Sequence, residues 1–568
     1  QASPGEPSRL RLGLDSLTFV LLALLAGVLL TGGWTVPLGP WQLAITRPEN
    51  VLLATLPMLA LRWWLCPPSL PALPPRLALA IGVIAYALVF SFITVSRHYA
   101  FRTHALDLGY YAQVLSNITH GRGAYVSLPE MHAWGDHFSP ILYLLAPLFV
   151  IFPGSVSLVI FQSVIFALGA FAVFAIAKRR LGDEYPAVAF TGLYLLNPSL
   201  HGVNLRDFHS AALGIPLLLW AVACFEANRP IWLLTAVLLT LGTREDAALA
   251  VIGLGLWIAL GRQRWRWGIG LTVLGFGWLF LTTGWLMPYF RGSPYPHLQR
   301  FAHLGGSVSE ILLNLATHPF QALSFLVSGD QLAYLVALVA PLGFLPLLSP
   351  LDLLPALPTL VVNLQSRDPV LFHHRAQYTI FVLPFLVLAS ISGYRRLARW
   401  TSSAAGARGA RFSPSRALAL AVLLSLALTS RTLNDLGVSK WRLDDRQRIA
   451  YSVMARIPPD AGVSTWERFV PHLALRPKVF VFPLGLEASD YVLLDFAAYP
   501  QQGIPGVMLD RQGDTVVLRS EGIEHRYAVV TDEAQYLLLR RTAPRSLRET
   551  LAREAWARSE RQERRKPG

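Results

Sequence analysis

Two polar segments between long apolar stretches contain the residues most suited to chemistry. The first, Asp107-Leu-Gly-Tyr-Tyr-Ala-Gln113, begins with a carboxylate, and the second, Gly135-Asp-His-Phe-Ser-Pro140, joins a carboxylate to an imidazole. A carboxylate can accept a proton from a hydroxyl group, and an imidazole can donate or accept one near neutral pH. Just outside a bilayer, where water reaches them, these side chains are available for chemistry on a membrane-bound substrate.

Three more groups of charged residues lie close to apolar stretches. They are Arg206-Asp207-Phe208-His209, Arg244-Glu245-Asp246 and His373-His374-Arg375, the last of which is followed by Tyr378. A charge at the centre of a membrane helix costs about 2.5–3.5 kcal/mol, so several charges on one side predict a shared hydrated cavity or mutual pairing. Any single group is equally compatible with a structural ion pair, such as one between Arg206 and Asp207.

The composition is that of a membrane protein. Of the 568 residues, 53% are hydrophobic and 15% are charged, and the mean hydropathy is +0.44. Soluble domains carry about 25% charged residues. The net charge of +15 comes largely from short basic clusters at the ends of apolar runs, which is typical of residues that fix topology and contact lipid headgroups. We therefore expect membrane lipids as partners and no nucleic acid.

A mostly α, polytopic bundle of about thirteen membrane-spanning helices is predicted, because a span needs about 20 apolar residues. The candidate spans are 17–33, 51–66, 77–95, 155–177, 185–198, 211–227, 231–243, 247–260, 268–288, 331–348, 351–364, 379–393 and 416–430.

The basic clusters predict the orientation of these spans. With the N-terminus inside, Lys178-Arg-Arg180, the arginines at 262–266 and those from 395 to 411 all fall on the cytoplasmic side. Loops 97–138 and 289–330 and everything after about 431 then fall outside. The stretches 107–120 and 141–152 are each predicted to form a short helix in the outer interface.

The charge pattern divides the chain into three parts: N-terminal membrane helices at 1–76, a membrane core with outer loops at 77–430, and an extracytoplasmic α/β domain at 431–568. β-type runs predict strands at 479–482, 491–494, 515–518, 527–530 and 536–539, with the last two paired. Helical patterns occupy 444–456 and the basic tail at 546–565. This domain could bind a protein partner.

No motif for nucleotide or serine chemistry is present, since the sequence lacks a Walker loop, a GxGxxG turn after a strand and a GxSxG elbow. Asp and His side chains could hold a divalent cation, but no HxxxH or HExxH spacing specifies its geometry.

The sequence resembles a bacterial and archaeal family of predicted membrane proteins of unknown function within the GT-C glycosyltransferase superfamily. The similarity covers about residues 80–500. It rests on the motifs Asp107-Leu-Gly-Tyr-Tyr-Ala-Gln113, His137-Phe-Ser-Pro-Ile-Leu-Tyr-Leu-Leu-Ala-Pro147, Asp207-Phe-His209, Arg244-Glu-Asp246, Gln377-Tyr-Thr-Ile-Phe-Val-Leu-Pro-Phe385, Val470-Pro-His-Leu-Ala-Leu-Arg476, Phe482-Pro483 and Asp490-Tyr-Val-Leu-Leu-Asp495.

This resemblance implies transfer of a sugar from a polyprenyl-phosphate donor at the outer face of the cytoplasmic membrane. Asp107 and Asp207 match the acidic residues that GT-C enzymes carry in their first two outer loops, and Asp107 is the expected base. Arg244, Arg375 and His374 are candidates to stabilise the leaving phosphate. A crisp DxD signature is absent, which leaves metal dependence open. The expected substrate-binding residues are His137, His209, Arg244, Glu245, Asp246, His374, Arg375 and Tyr378, and Mg²⁺ or Mn²⁺ would bind at Asp107, Asp207 and His209.

Two other functions stay open at this point. In a transporter or lipid flippase the same charges would line a transport path, but such a protein predicts charges near mid-span and two similar halves. In a non-catalytic subunit of a membrane complex, the outer domain would serve docking and the acids would form structural pairs.

Overall fold

The computed structural model describes residues 9–65, 73–128, 130–318, 329–403, 413–498, 506–520 and 522–542. These residues form a mainly helical protein with a β-sheet near its C-terminal end. The principal helices are Arg9–Thr31, Pro48–Leu65, Pro75–Tyr99, Tyr110–Thr119, Ile141–Ile151, Ser155–Leu181, Glu184–Leu195, Pro198–Leu205, Gly214–Glu226, Pro230–Leu241, Ala247–Leu256, Trp265–Leu281, Met287–Arg291, Val308–Thr317, Gly329–Val339, Pro350–Leu353, Leu357–Gln365, Leu383–Ser402, Pro414–Thr429, Val438–Trp441, Asp445–Met454 and Val470–Leu473.

Among the described residues, five helical segments have the length and apolar composition to cross a membrane. They are Leu12–Thr31, Pro75–Tyr99, Ser155–Leu181, Trp265–Arg291 and Pro414–Leu436. Shorter apolar helices of 10–17 residues account for other predicted spans, and the count of thirteen stays a prediction. Two candidate spans are interrupted. The segment 351–364 consists of three short helical pieces, because Pro355 and Pro358 lack the N–H that a continuous helix needs. In 331–348 the α-helix ends at Val339, and two 3₁₀ turns follow at Ala340–Leu342 and Leu345–Leu348.

The helix Ser155–Leu181 lies at the centre of the bundle and packs against Pro75–Tyr99, Glu184–Leu195 and Gly214–Glu226. Small residues make these close approaches possible. Gly169 is one example, because a Cβ there would lie 2.5 Å from the hydroxyl of Tyr194. The 27 residues of the central helix span about 40 Å at 1.5 Å per residue, enough to cross the hydrocarbon core of a bilayer.

In the described part of the chain, seven strands form a mixed sheet in the order β6 (Val479–Val481), β5 (Val463–Thr465), β7 (Tyr491–Asp495), β11 (Tyr536–Arg541), β10 (Ile523–Glu533), β9 (Thr515–Ser520) and β8 (Val507–Gln512). The parallel part joins β5 to β6 and β7, and the remaining pairs are antiparallel. The five predicted strands and the β10–β11 pairing are confirmed, as is the helix predicted around 444–456. The predicted helix at 546–565 lies outside the described residues. Two smaller antiparallel pairs also form: β1 Trp34–Leu38 with β2 Trp41–Ile45, and β3 Tyr125–Val126 with β4 Met131–His132.

The seven-stranded sheet packs against the loop at 97–138. Gln113 donates to the Arg476 carbonyl at 3.2 Å, and the Ser127 hydroxyl donates to the Val479 carbonyl at 2.7 Å. Ser155, at the start of the central helix, donates to the Pro471 carbonyl at 2.6 Å. The sheet, this loop and one end of the central helix therefore lie on the same side of the bundle.

Candidate functional site

Two carboxylates from separate loops meet at the sheet-facing end of the bundle. Asp107 lies in a π-helical turn, Ala105–Gly109, and Asp207 lies between the helix Pro198–Leu205 and the turn Ser210–Leu213. One possible ligand atom from each of His104, Asp107 and Asp207 lies within 4.8 Å of the others. The predicted convergence of the two acids is thus present in the structure.

Each acid is hydrogen-bonded to the imidazole of a histidine that lies close to the other acid in sequence. His209 donates from Nε2 to Oδ1 of Asp107 at 2.9 Å. His104 donates to Oδ2 of Asp207 through both its backbone N–H, at 2.8 Å, and its ring Nδ1, at 3.0 Å. We call these four residues the Asp107 centre. The possible ion pair between Arg206 and Asp207 is not formed, since His104 takes that place.

The two acids differ in their access to solvent. The Asp107 side chain is 35% exposed, whereas that of Asp207 is 3% exposed. Burial opposes ionisation of Asp107, but the neighbouring His209, His104 and Arg206 outweigh it and lower the pKa of this carboxyl. Asp207 adopts a left-handed backbone conformation with φ 72°, which costs about 1–3 kcal/mol and is concentrated at functional sites.

Gln162 fixes the backbone beneath the Asp107 centre. Its amide N–H donates to the Asp207 carbonyl at 2.9 Å, and its carbonyl oxygen accepts from the His209 N–H at 3.1 Å. Gln162 is fully buried on the central helix. The central helix therefore positions the loop that carries Asp207 and His209.

A second group of charges, the Glu245 centre, comprises His137, Arg244, Glu245 and Asp246. Nδ1 of His137 donates to Oε1 of Glu245 at 3.0 Å, and Arg244 forms a bidentate ion pair with Asp246 at 2.6 and 2.5 Å. Burial would raise the pKa of Glu245 and lower that of His137. Their mutual attraction outweighs burial, lowering the pKa of Glu245 and raising that of His137. The pair therefore favours carboxylate and imidazolium.

Tyr111 lies between the two centres. Its hydroxyl accepts from Ser210 at 3.3 Å, and Ser210 is 3.0 Å from the Ser139 hydroxyl. Burial raises its pKa, and the charges of Asp107 and Asp136 contribute to the same shift. The acids of the first and second polar segments therefore both lie near one phenol.

A cluster of arginines, here called the arginine group, lies beside the Asp107 centre and comprises Arg97, Arg102, Arg206, Arg375 and Arg431. Arg97 and Arg102 contact Asp435 at 3.1 and 3.4 Å. Burial lowers the pKa of Arg375; the Asp435 charge opposes that shift, while nearby Arg431 and Arg206 add to it. Arg206 also contributes to the lowered pKa of Asp107, so this arginine group adjoins the acids.

The structure distributes the predicted site residues over these three groups. Asp107, Asp207 and His209 share the first centre, while His137, Arg244, Glu245 and Asp246 share the second; the Tyr378 ring lies 5.7 Å from the Arg244 guanidinium. Arg375 belongs to the arginine group, which His374 adjoins. Burial and its neighbours lower the pKa of His374 to about 4, so this ring is neutral near pH 7 and does not match the expected cation. Asp246 already neutralises Arg244.

Sequence reasoning missed four residues that complete the centres: His104, Tyr111, Gln162 and His297. His104 lies three residues before Asp107, within the same loop, and this spacing was the available signal. Gln162 lies within an apolar helix, and the sequence does not indicate that its amide contacts the backbone of Asp207 and His209. His297 comes from a distant loop and stacks on His137 with ring centroids 4.9 Å apart.

The fold and the polar groups define a multi-pass helical membrane protein with charged centres beside a C-terminal sheet. Residues 97–537 match the family described as "Predicted membrane protein (DUF2079)", and the chain belongs to this family. No curated protein sequence matches the chain significantly.

Two solved structures are similar over most of the chain, both of ArnT from Cupriavidus metallidurans. One is bound to undecaprenyl phosphate, with a TM-score of 0.47, 14% identity and coverage of 82% of this chain and 98% of that chain. The other is in the apo state, with a TM-score of 0.47, 16% identity and coverage of 81% and 97%.

Proposed function

We propose that this protein is an integral-membrane glycosyltransferase that transfers a sugar from a polyprenyl-phosphate donor at the outer face of the cytoplasmic membrane. The observation that carries the proposal is the meeting of Asp107 and Asp207, from separate loops, within 4.8 Å. The sequence motifs shared with the GT-C superfamily suggest the class of donor, and the geometry supplies groups for each part of the reaction.

Asp107 is the proposed base. The oxygen of an acceptor hydroxyl attacks the anomeric carbon, and its proton passes to the Asp107 carboxylate. The bond between this carbon and the phosphate oxygen breaks, and its electron pair leaves with the polyprenyl phosphate. Asp107 suits this step because its lowered pKa keeps it ionised and its side chain is partly exposed. The buried Asp207 would orient the loop or the acceptor.

The leaving phosphate needs positive charge beside it. Arg206 and Arg375 are the best candidates: Arg206 is close to Asp107 and Arg375, and Nη1 of Arg375 is buried without a hydrogen-bond partner among the described residues. Arg244 is a weaker candidate because Asp246 occupies the Nε–Nη2 edge of its guanidinium and neutralises its charge.

A divalent cation such as Mg²⁺ or Mn²⁺ fits the Asp107 centre chemically, since carboxylate oxygens suit both ions. Asp107 and Asp207 would hold it with His104, because one possible ligand atom from each of these three residues lies within 4.8 Å of the others. Such a cation would supply further positive charge to the phosphate.

The proposed location of the reaction at the outer face is supported by two elements that lie on the same side of the bundle. The loop at 97–138 and the seven-stranded sheet contact each other, and both are predicted to be extracytoplasmic. Labelling of single cysteines introduced at exposed positions such as Met508, 67% exposed, with a membrane-impermeant reagent tests this side directly.

The test of the activity uses the full chain in proteoliposomes with a radiolabelled, sugar-charged polyprenyl phosphate. The wild type is expected to release the sugar from the lipid, to water or to an added acceptor. Asp107→Asn should reduce release by about 10²–10⁴-fold, the usual contribution of a general base. Asp445→Asn, at an acid that is 93% exposed, should leave it unchanged. Intact lipid moving between leaflets without cleavage would point to a flippase instead, and equal rates for Asp107→Asn and the wild type would remove Asp107 as the base.

A further inference from the structure

A group of metal-ligating side chains lies beyond Tyr111, outside the Asp107 centre. Asp136 and His137 come from the loop before Pro140, and His297 comes from the short helix Pro296–Phe301. One possible ligand atom from each lies within 4.8 Å of the others. Ligand atoms around a tetrahedral Zn²⁺ are roughly 3.3 Å apart at metal–ligand distances of 2.0–2.1 Å, so small side-chain movements would close the group on an ion.

The hydrogen bonds around His137 leave one ring nitrogen for a metal. Nδ1 donates to Oε1 of Glu245 at 3.0 Å, and a metal ion bound at Nε2 would take the place of the second proton of the imidazolium. Glu245 is itself fixed, because its Oε2 accepts from the Phe138 N–H at 3.1 Å and Tyr295 donates to its Oε1 at 3.4 Å. A carboxylate that orients the far nitrogen of a ligating histidine is the usual outer shell of a zinc site.

In His297 and Asp136, atoms that could bind a metal ion have no hydrogen-bond partner among the described residues. Nε2 of His297 is buried and makes no hydrogen bond among the described residues. The carboxylate of Asp136 likewise has no hydrogen-bond or ion-pair partner in the described part of the chain, although it lies close to two imidazoles. Leaving a buried polar atom unsatisfied costs about 1–3 kcal/mol, and a bound cation would remove this cost at Nε2 of His297.

We infer that Asp136, His137 and His297 form a binding site for a divalent metal ion of the zinc class. Two imidazoles and one carboxylate suit Zn²⁺ and leave its fourth position open to water or to an oxygen of a substrate. The ion would fasten the loop at 133–138 to the segment 295–301, two parts of the chain that are far apart in sequence. This site is separate from the Asp107 centre and does not rest on the proposed glycosyl transfer.

Metal binding by the purified full-length protein tests this inference without any turnover. After removal of metals with a chelator and dialysis against Zn²⁺, the wild type should retain one ion that His297→Ala and Asp136→Asn lose, each with at least a 100-fold weaker affinity. Glu245→Gln should weaken binding about 10–100-fold, as loss of an outer-shell partner does. His318→Ala is the matched control, since its exposed histidine lies outside the site, and it should bind as the wild type does.

A second set of variants assigns the ion to one of the two centres. His104→Ala should keep the zinc, because His104 belongs to the Asp107 centre. Zinc that persists in His297→Ala but is lost in His104→Ala would overturn the proposed site, as would a wild type that retains no zinc. X-ray absorption of the loaded protein should show two imidazole nitrogens at about 2.0 Å, and a shell with fewer than two would also contradict it. A gel-filtration profile like that of the wild type confirms that each variant is folded.

Discussion

The two ends of the bundle both bury charges, but they pair them differently. At the basic end, Arg180 and Arg262 contact Glu226 at 2.5 and 2.9 Å, and Arg180 lies 3.6 Å from Asp352. At the sheet-facing end, Asp107, Asp207 and Glu245 are each held by an imidazole. A guanidinium keeps its charge at all ordinary pH values, whereas an imidazole gains or loses a proton near neutrality.

This difference indicates a structural role for the charges at the basic end and a chemical role for those at the sheet-facing end. Permanent ion pairs neutralise the buried charges of the basic end, and the Arg180 side chain is 5% exposed, which suits a role in locking helices together. The acid–imidazole pairs are held by hydrogen bonds to neighbouring histidines, and Asp107 keeps 35% of its surface exposed. The sheet-facing end is therefore where the proposed reaction would occur, and the buried ion pairs of the other end are structural.

The largest expected effect on stability is at the basic end. Arg180→Ala would leave Glu226 and Asp352 buried with fewer partners, and breaking a buried ion pair costs about 3–5 kcal/mol. Thermal unfolding in detergent should show a much lower midpoint for Arg180→Ala. The adjacent, exposed Arg179 is the control, and Arg179→Ala should stay within about 0.5 kcal/mol of the wild type. Equal midpoints for the two variants would mean that this end is not held by its ion pairs.

A smaller loss is expected at the Asp107 centre. His104→Ala removes the ring that contacts the 3%-exposed Asp207 but keeps the backbone N–H, so the free energy of unfolding should fall by about 1–3 kcal/mol. His120→Ala serves as the matched control because His120 is exposed and bonds only locally, to Ser116 and Thr119. Transfer activity should fall further than stability accounts for, and an active His104→Ala variant would argue that Asp207 needs no orientation.

The contact between Gly202 and the arginine group offers a third test. A Cβ on Gly202 would lie 2.4 Å from the Cβ of Arg375 and 2.5 Å from its Cα, so Gly202→Ala must displace Arg375 and should cost about 1–3 kcal/mol. The apparent KM for the lipid donor should also rise. A Cβ on Gly192 meets no atom within 4 Å, and Gly192→Ala is expected to stabilise its helix by about 0.5–1 kcal/mol. An unchanged KM in Gly202→Ala would exclude Arg375 from donor binding.

The sequence allowed most helices and five of the seven strands of the C-terminal sheet to be predicted, because apolar length and alternation are local properties. The pairing of β10 with β11 was within reach for the same reason, since only two residues separate the strands. The break of the segment 351–364 was not predicted, although Pro355 and Pro358 are visible in the sequence.

The partners within the site were harder to predict, because they depend on contacts between distant segments. Asp107 and Asp207 were identified from their loops, but the sequence could not show that His104 contacts Asp207 and that His209 contacts Asp107. The pairing of Arg244 with Asp246 rather than with a substrate phosphate depends on side-chain geometry in a tight turn. The Gln162 amide contacts a loop more than 40 residues away, which no local pattern reveals.

The central claim is that Asp107 and Asp207 act as one catalytic unit, and a double-mutant cycle tests it most directly. Release of sugar from the polyprenyl-phosphate donor would be measured for the wild type, Asp107→Asn, Asp207→Asn and the double variant. Residues that act together give strongly non-additive losses, so the double variant should be no slower than about the slower single variant. Losses that multiply, or an Asp207→Asn variant as active as the wild type, would contradict the account.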